Sequence, residues 1–392
     1  MSSAAPKVRI EEIRLENFRA FDNARLTLAD LTFLVGENGA GKSSLLDAVE
    51  FMREAVTDNL PNALDRREGL YGILRRGAGE DASVGVSVVM TAELAGRAIR
   101  MLYGFRILER GQTIEEALRV REAPSEGFYR RGADFETGVR GIGPQVLPER
   151  LVLPAIAITQ LWDIVYKGVA GMRAYDIVPQ MIATPALIRN KTALEKHGGN
   201  GGEVPAAVKT RPEAYRSILA RLRALTNGIA DIDARVLYGL RGIYIKQRRD
   251  ATHTDDFAAP AVSQGTLRAL GVLLALDQSP KPTLVLFDEI EDSIHPLALD
   301  VLLEAIEVKR NELPIVVTTH SIELLNRRPA ASGAGVHVIQ WEAGISRMYR
   351  LGASTMQLLA QDPSTTVGSL MNINGFCLQE QAETFDQDLL DL

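Results

Sequence analysis

Apolar and polar residues alternate through the first 35 positions. Val8 and Ile10, Ile13 and Leu15, Leu26 and Leu28, then Leu31, Phe33 and Val35 recur at period two, which places each set on one face of a strand. Asp22-Asn23 and Asp30 punctuate these runs as turns. After Val35 the period changes. A glycine-rich loop leads to Leu45, Leu46, Val49 and Met52 at helical spacing, so a strand, a loop and a helix follow one another. Alternation returns at Val84–Met90 and Ile99–Ile107, with Gly96 in the loop between them, and predicts an antiparallel β patch over about 83–140. Leu151 to about Met172 reads as helical. HGGNGGEVP at 197–205 is the clearest break in the chain. Tyr215, Ile218, Leu222 and Leu225 predict an amphipathic helix over 213–225, and Val236–Ile245 reads as a hairpin around Gly239–Gly242. The last third predicts helix 266–278, strand 283–287, helix 297–310, strand 314–318, helix 321–327 and strands near 336–340 and 346–351. The expected fold is α/β: a central mixed sheet with helices, an antiparallel β patch and a helical insertion. The expected boundaries are 1–150, 151–255, 256–355 and a tail at 356–392. No internal repeat or sustained heptad run occurs.

Composition narrows the class. Of 392 residues, 46% are hydrophobic and 24% charged, with a net charge of −6, as in an ordinary globular protein. The apolar runs are too short to span a bilayer, and the first residues carry no apolar signal segment, so a cytoplasmic protein with no membrane partner is expected. One cysteine, Cys377, excludes an intrachain disulfide, and the five histidines show no zinc-ligand spacing. The segment Leu378–Leu392 holds five acidic residues and no basic one, and reads as a mobile tail or a short docking helix. Asp386-Gln387-Asp388 spells D-x-D there, a pattern read as tail composition.

The loop after Val35 is Gly36-Glu37-Asn38-Gly39-Ala40-Gly41-Lys42-Ser43, which fits G-x-x-x-x-G-K-[ST] between a strand and a helix. Its glycines let backbone N–H groups curl round an anion, and the helix that starts at Ser43 adds the positive end of its dipole. Lys42 would reach the β- and γ-phosphates of a nucleotide, and the Ser43 hydroxyl would ligate Mg²⁺. Ser44 extends the set. A second apolar strand, Thr283–Phe287, ends in Asp288-Glu289. Asp288 would hold Mg²⁺ through water, and Glu289 sits where a general base polarises the attacking water. Asp288 lies 246 residues after Lys42, His320 follows Asp288 by 32, and Ser263-Gln264-Gly265-Thr266 precedes it by 25 and opens an apolar helix. Ser263 and Gly265 make that helix end ready for an anion.

These pieces resemble a family. GENGAGKS, SQGTLR, LVLFDEIEDSIHP and TTHS look like the Walker A, signature, Walker B/D-loop and switch-histidine motifs of ABC-type ATPases, in the RecF/SMC/OLD branch. The opening IRLENFRAFDNARLTL, the His295-Pro296 pair and the stretch KHGGNGGEVPAAV…PEAYRSILARL are similar to that branch, and the likeness runs to about residue 355. The chain is identified as a stand-alone, OLD-like member. Its signature departs from the transporter form, and no clear Q-loop glutamine follows the first helix; Arg75-Arg76-Gly77 occupies that neighbourhood. Too little sequence follows His320 for a Toprim nuclease domain, so none is expected.

The resemblance implies an N-terminal ATPase lobe at 1–150, an insert at 151–255 and a C-terminal ATPase lobe at 256–355. It implies two copies pairing head to tail. Lys42 and its loop in one copy, with Ser263 and Gly265 of the other, would enclose ATP. His320 would sense the γ-phosphate, Asp292 would cross the interface, and Arg19 in the NFRAF segment would contact phosphate. The catalytic set is then Lys42, Glu289 and His320, with ATP and Mg²⁺ bound. One reading is an ATP-driven homodimeric switch that signals to a separate effector such as a nuclease or toxin in antiphage defence. Another is a RecF-like ATPase acting on DNA. A transporter subunit fits the motifs less well, and a non-hydrolysing scaffold would not need Glu289 and His320. Residues 189–249 hold 13 Lys and Arg against five Asp and Glu, a basic arm that suits either a polyanion or pairing within the protein.

Overall fold

A computed structural model describes residues 8–391 except 80–81, 95, 109–112, 122–127, 132–134, 138–148, 158–159, 190, 227, 328–329, 363, 374, 380–381 and 386–387. The D-x-D at 386–388 therefore lies in part outside the described residues. The chain forms two compact units. One comprises Met1–Arg173, Gly335–Thr355 and Phe376–Leu392, the other Ala174–Ala334 and Met356–Gly375.

In the first unit a seven-stranded sheet runs in the order Asn23–Thr27, Val8–Glu16, Val84–Leu94, Arg97–Leu108, Thr113–Arg121, Phe128–Arg131, Phe135–Thr137. Its main pairs are antiparallel, with Leu94 opposite Arg97 at the hairpin end. This is the expected β patch, joined by the chain's opening strands. A second set of strands places Val336–Glu342 between its antiparallel neighbour Ile345–Arg350 and its parallel neighbour Leu31–Val35. Leu31–Val35 is buried at every position, so both faces are covered where the alternation of Leu31, Phe33 and Val35 predicts one. The helix Lys42–Thr57 buries Leu45, Leu46, Val49 and Met52, as the spacing predicts. Its Phe51 ring packs against Phe18 and Phe105, both at 5.8 Å between centroids.

The C-terminal segment differs from the mobile tail suggested by its acidity. Gln379 and Glu383 donate backbone hydrogen bonds to Arg350 and Met348, and Ser87 Oγ donates to Leu389 O at 2.9 Å. Leu389, Leu390 and Phe385 are buried with Ala117 of the large sheet. Asp388 meets Arg106 and Asp391 meets Arg119. The acids suggested solvation, but arginines of the sheet neutralise Asp388 and Asp391, and the interleaved apolar residues hold the segment down.

In the second unit the parallel strands Leu284–Phe287 and Ile315–Thr319 are almost entirely buried, and Met172–Tyr175 lies beyond Leu284–Phe287 in the same order. Helices Gln264–Leu276 and Pro296–Lys309 match the expected spans within two residues. The first is buried at nearly every position from Thr266 onward, so it is a core helix. The stretch 151–172 is two helices, Leu153–Ile156 and Gln160–Ala170, before a strand. The insertion carries helix Pro212–Leu225 and a longer hairpin than predicted, Ile229–Leu237 with Leu240–Arg248. Its turn is Tyr238-Gly239, both at positive φ (52° and 78°), the two-residue geometry that matches strand twist. Among the described residues no helix is long and apolar enough to cross a membrane.

Candidate functional site

The glycine loop stands in the first unit. Gly36 follows the buried strand, and a Cβ on it would lie 2.5 Å from Ile339 O, so only glycine lets the loop leave the sheet there. Gly41 caps the helix at φ 111°, with Ser346 Oγ 2.6 Å from where a Cβ would stand. Between them Glu37, Asn38 and Gly39 are exposed while Gly36, Ala40 and Gly41 are buried, so the loop presents its tip and not its anchors. Ser43 is exposed at the helix start. Lys42 is buried, and its Nζ donates to the Gly36 and Glu37 carbonyls at 2.7 and 3.1 Å. The loop thus holds its lysine across its own backbone, at the N-terminal end of the helix.

Arg19 sits near the same helix. Its backbone is left-handed at φ 49°, and its guanidinium reaches Asp47 at 2.8 Å. With Ser44, Tyr71, Arg76 and Trp341 it lines a cleft of about 640 Å³. Tyr71 and Trp341 are strongly exposed, and Arg76 is the member of the Arg75-Arg76-Gly77 segment that faces this space. The periodicity carries no sign of this cleft. Its lining comes from a loop after the first helix and from a hairpin about 270 residues later.

The acidic strand end, the SQGT helix and His320 stand in the second unit. Asp288 Oδ1 accepts from Thr318 Oγ1 at 2.5 Å, and the same hydroxyl accepts from the Glu289 N–H at 3.1 Å. The Asp288 N–H donates to Tyr175 O at 2.8 Å. Glu289 is left-handed at φ 43°, so the chain turns sharply off the strand and its carboxylate meets His320 Nδ1 at 2.9 Å. Asp292 closes the turn by donating its N–H to Glu289 O at 3.1 Å. Ser263 caps the helix Gln264–Leu276, its Oγ accepting from the Thr266 N–H at 3.2 Å, and Gly265 faces Ser293 O, where a Cβ would come within 2.9 Å.

Thus Asp288, Glu289, His320 and the Ser263 helix end are gathered in the second unit, and Gly36–Ser44 with Arg19 in the first. Three residues were not singled out from sequence. Thr318 lies in the TTHS segment, and its role comes from the parallel pairing of the two strands. Glu291 has one carboxylate oxygen bonded by Thr319 and the other buried without a partner, and burial raises its pKa above the usual carboxylate range. Arg268 is a buried arginine on the helix that Ser263 caps. As for metal, no cluster of three or more His, Cys, Asp or Glu side chains occurs among the described residues. Ser43 in the first unit offers a hydroxyl and Asp288 in the second a carboxylate, each a hard oxygen donor of the kind Mg²⁺ takes.

Residues 187–326 match the family described as "AAA domain, putative AbiEii toxin, Type IV TA system", and residues 9–73 match "AAA ATPase domain". No curated protein matches the chain. Among solved structures, an Smc head bound to the C-terminal winged-helix domain of ScpA is similar with a TM-score of 0.53 at 14% identity, covering 88% of this chain and 99% of that one. An Smc head domain with an extended coiled coil, bound to the C-terminal domain of ScpA from Pyrococcus furiosus, gives 0.53 at 13%, covering 90% and 99%. At such identities the structures speak for the fold, and the family matches fall on the glycine loop and on the Asp288–His320 region. The motifs and the two ATPase-domain matches agree that the chain is a P-loop ATPase, and its fold is similar to that of the Smc heads.

Proposed function

We propose that this ATPase is a switch that dimerises around ATP and passes its state to a separate effector. ATP phosphates would lie on the Gly36–Gly41 loop, with Lys42 leaving its carbonyl partners for the β- and γ-oxygens. The nucleoside would extend from Ser44 into the cleft that Tyr71, Trp341 and Arg19 line. Ser43 and Asp288 would hold Mg²⁺, which supplies charge neutralisation on the phosphates when bound. Glu289 would accept the proton of the attacking water, and His320, now on its carboxylate, would hydrogen-bond the γ-phosphate and register its loss. Ser263 and Gly265 would serve the ATP of the other copy, where a helix N-terminus offsets charge that Lys42 leaves unneutralised.

The observation that carries this reading is the Glu289–His320 contact at 2.9 Å, in the same unit as an exposed Ser263 helix end. A base held by its own sensor suits an enzyme that waits for a second component. The family description over 187–326 names a toxin and a type IV TA system, which supports an effector-linked role in bacterial antiphage defence over a housekeeping one. The test is Glu289→Gln, expected to bind ATP, to slow hydrolysis about 10²-fold or more, and to accumulate as a dimer in mass photometry with ATP. A hydrolysis-dead variant that keeps its apo oligomeric state would refute the ATP-bound pair. Pull-down with the trapped form would identify the effector.

A second reading, a RecF-like DNA-binding ATPase, draws on the basic arm. Lys191, Lys209, Arg235 and Arg249 pair with acids. On the helix Pro212–Leu225, however, Arg216, Arg221 and Arg223 bond neutral oxygens among the described residues, Pro212 O, Ser217 Oγ, Ile229 O and Ala230 O. Tyr215, the one aromatic on that helix, is not a stacking platform. Its hydroxyl bonds Asp231 and Ile232 O, and Lys209 Nζ sits 5.4 Å from its ring centroid.

A further inference from the structure

Arg268 lies on the helix that Ser263 opens, five residues beyond that serine. It is 6% exposed, an unusual place for a guanidinium. Its Nη2 donates to Glu289 O at 2.7 Å and approaches Asp288 O at 3.4 Å, while its buried Nε has no partner. Among the described residues no carboxylate pairs with it; it spends its charge on two backbone carbonyls at the strand end. Glu289 is held in a left-handed conformation, which a non-glycine residue adopts only when its surroundings fix it. Contacts on both sides of the residue hold it there: Thr318 on the neighbouring strand accepts its N–H, and its C=O accepts from the Asp292 N–H within the turn and from Arg268 on the Ser263 helix. Gly265 adds a close backbone approach between the same helix and Ser293, itself left-handed at φ 60°. A buried helix end with such fitted contacts does not shift without moving what it touches.

We propose that Arg268 is a positioning residue for Glu289, and that it ties the aim of this chain's general base to the helix whose N-terminus serves the other copy's ATP. The second half rests on the trans role of Ser263 set out above. A guanidinium suits this buried place better than an ammonium, because its charge is delocalised and more weakly hydrated. Each signature helix then has two duties. It closes on a neighbour's phosphate at one end, and one turn further it holds its own chain's Glu289.

Two experiments separate the claims. In the full-length protein, Arg268→Met and the milder Arg268→Lys are measured for ATP affinity, ATP-driven dimerisation and turnover. Positioning predicts unchanged affinity and dimerisation, a kcat at least 10-fold lower for Met, and partial recovery for Lys. A merely structural role would lower affinity and thermal stability in step with kcat, and unchanged kcat in the folded Lys and Met proteins would overturn the proposal. The second experiment mixes a chain carrying Lys42→Ala with one carrying Ser263→Arg, which leaves a single composite site in the mixed dimer. Arg268→Met is then placed on either chain. On the Ser263→Arg chain it sits with the working Glu289 and should abolish turnover; on the Lys42→Ala chain it sits with the working signature and should leave turnover within about two-fold. The reverse pattern, or equal loss from both chains, would overturn the assignment. If the parent mixture forms dimers but is inactive, the trans reading has failed, and the first experiment alone decides whether Arg268 positions Glu289.

Discussion

Thr318 offers the sharpest test of how the hydrolytic end is assembled. Its hydroxyl is fully buried and makes two contacts, donating to Asp288 Oδ1 and accepting from the Glu289 N–H. Thr318→Val keeps the shape and removes both. Leaving buried polar groups short of a partner costs about 1–3 kcal/mol. The kinetic effect should be larger than that cost suggests, because the same hydroxyl sets Asp288 and the Glu289 peptide relative to one another. A displacement near an ångström in a reacting group is worth about 10²-fold in rate. Thr318→Ser is the control: it keeps the hydroxyl and loses one methyl, worth about 0.8 kcal/mol of stability. Urea unfolding and steady-state ATP hydrolysis are measured on both. The expected pattern is a split, with stability lowered in both variants and kcat lowered only in the Val protein, while ATP affinity changes little. A Val protein with wild-type kcat, or a Ser protein as slow as Val, would show that Thr318 packs the strand and does not order the site.

Other outcomes follow from the same geometry. Lys42→Ala should lose tight binding of a fluorescent ATP analogue, since it removes the one cation the loop places on the phosphates; unchanged affinity would sink the P-loop assignment. Ser263→Arg should keep ATP affinity yet lose turnover, and mixing it with the Lys42→Ala protein should restore activity from one composite site. Glu291→Gln should stabilise the protein increasingly with pH. Burial raises the Glu291 pKa in the folded state, so the folded protein favours the protonated form, and that advantage fades as pH climbs from the unfolded value through the folded one. Within that window the gap between variant and wild type should widen by up to about 1.4 kcal/mol per pH unit, then level off; melting curves from pH 4 to 9 would read it, and a gap independent of pH would refute the assignment. If the basic arm binds DNA, affinity should fall by about 0.9 log unit per phosphate contact for each log unit of salt, and replacing Arg216, Arg221 and Arg223 with Gln should flatten that slope without changing basal hydrolysis.

What the sequence made legible was whatever is local. The run Gly36–Ser43 is contiguous, and the backbone freedom and charge that define a phosphate loop are written into the residues themselves. The strand ending in Asp288-Glu289, the helix opened by Ser263 and the strand before His320 were readable for the same reason: each is one element with its chemistry at one end. Contacts between elements were not readable. Nothing in TTHS says that Thr318 bridges Asp288 and Glu289, because that depends on the parallel register of Leu286 with Val316 and Phe287 with Val317. Nor does a helical pattern distinguish Arg268 from any surface arginine, because its burial is set by what packs over the helix.

The C-terminal segment shows the same limit in reverse. Its five acids and absent bases suggested solvent, since charge without local compensation usually stays wet. For Asp388 and Asp391 the compensation is present but far away in sequence, at Arg106 and Arg119 on two strands of the large sheet. Those strands precede the segment by more than 250 residues, so no window of sequence contains both partners. Leu389 and Leu390 then bury apolar surface that a solvated tail would leave exposed, at about 25 cal/mol for each Å² removed from water. Composition therefore misleads where a segment's counter-charges arrive from another part of the fold. In this chain that holds for the acidic end against the sheet, and for Arg268, whose counter-dipoles are the carbonyls of a strand end about 20 residues further on.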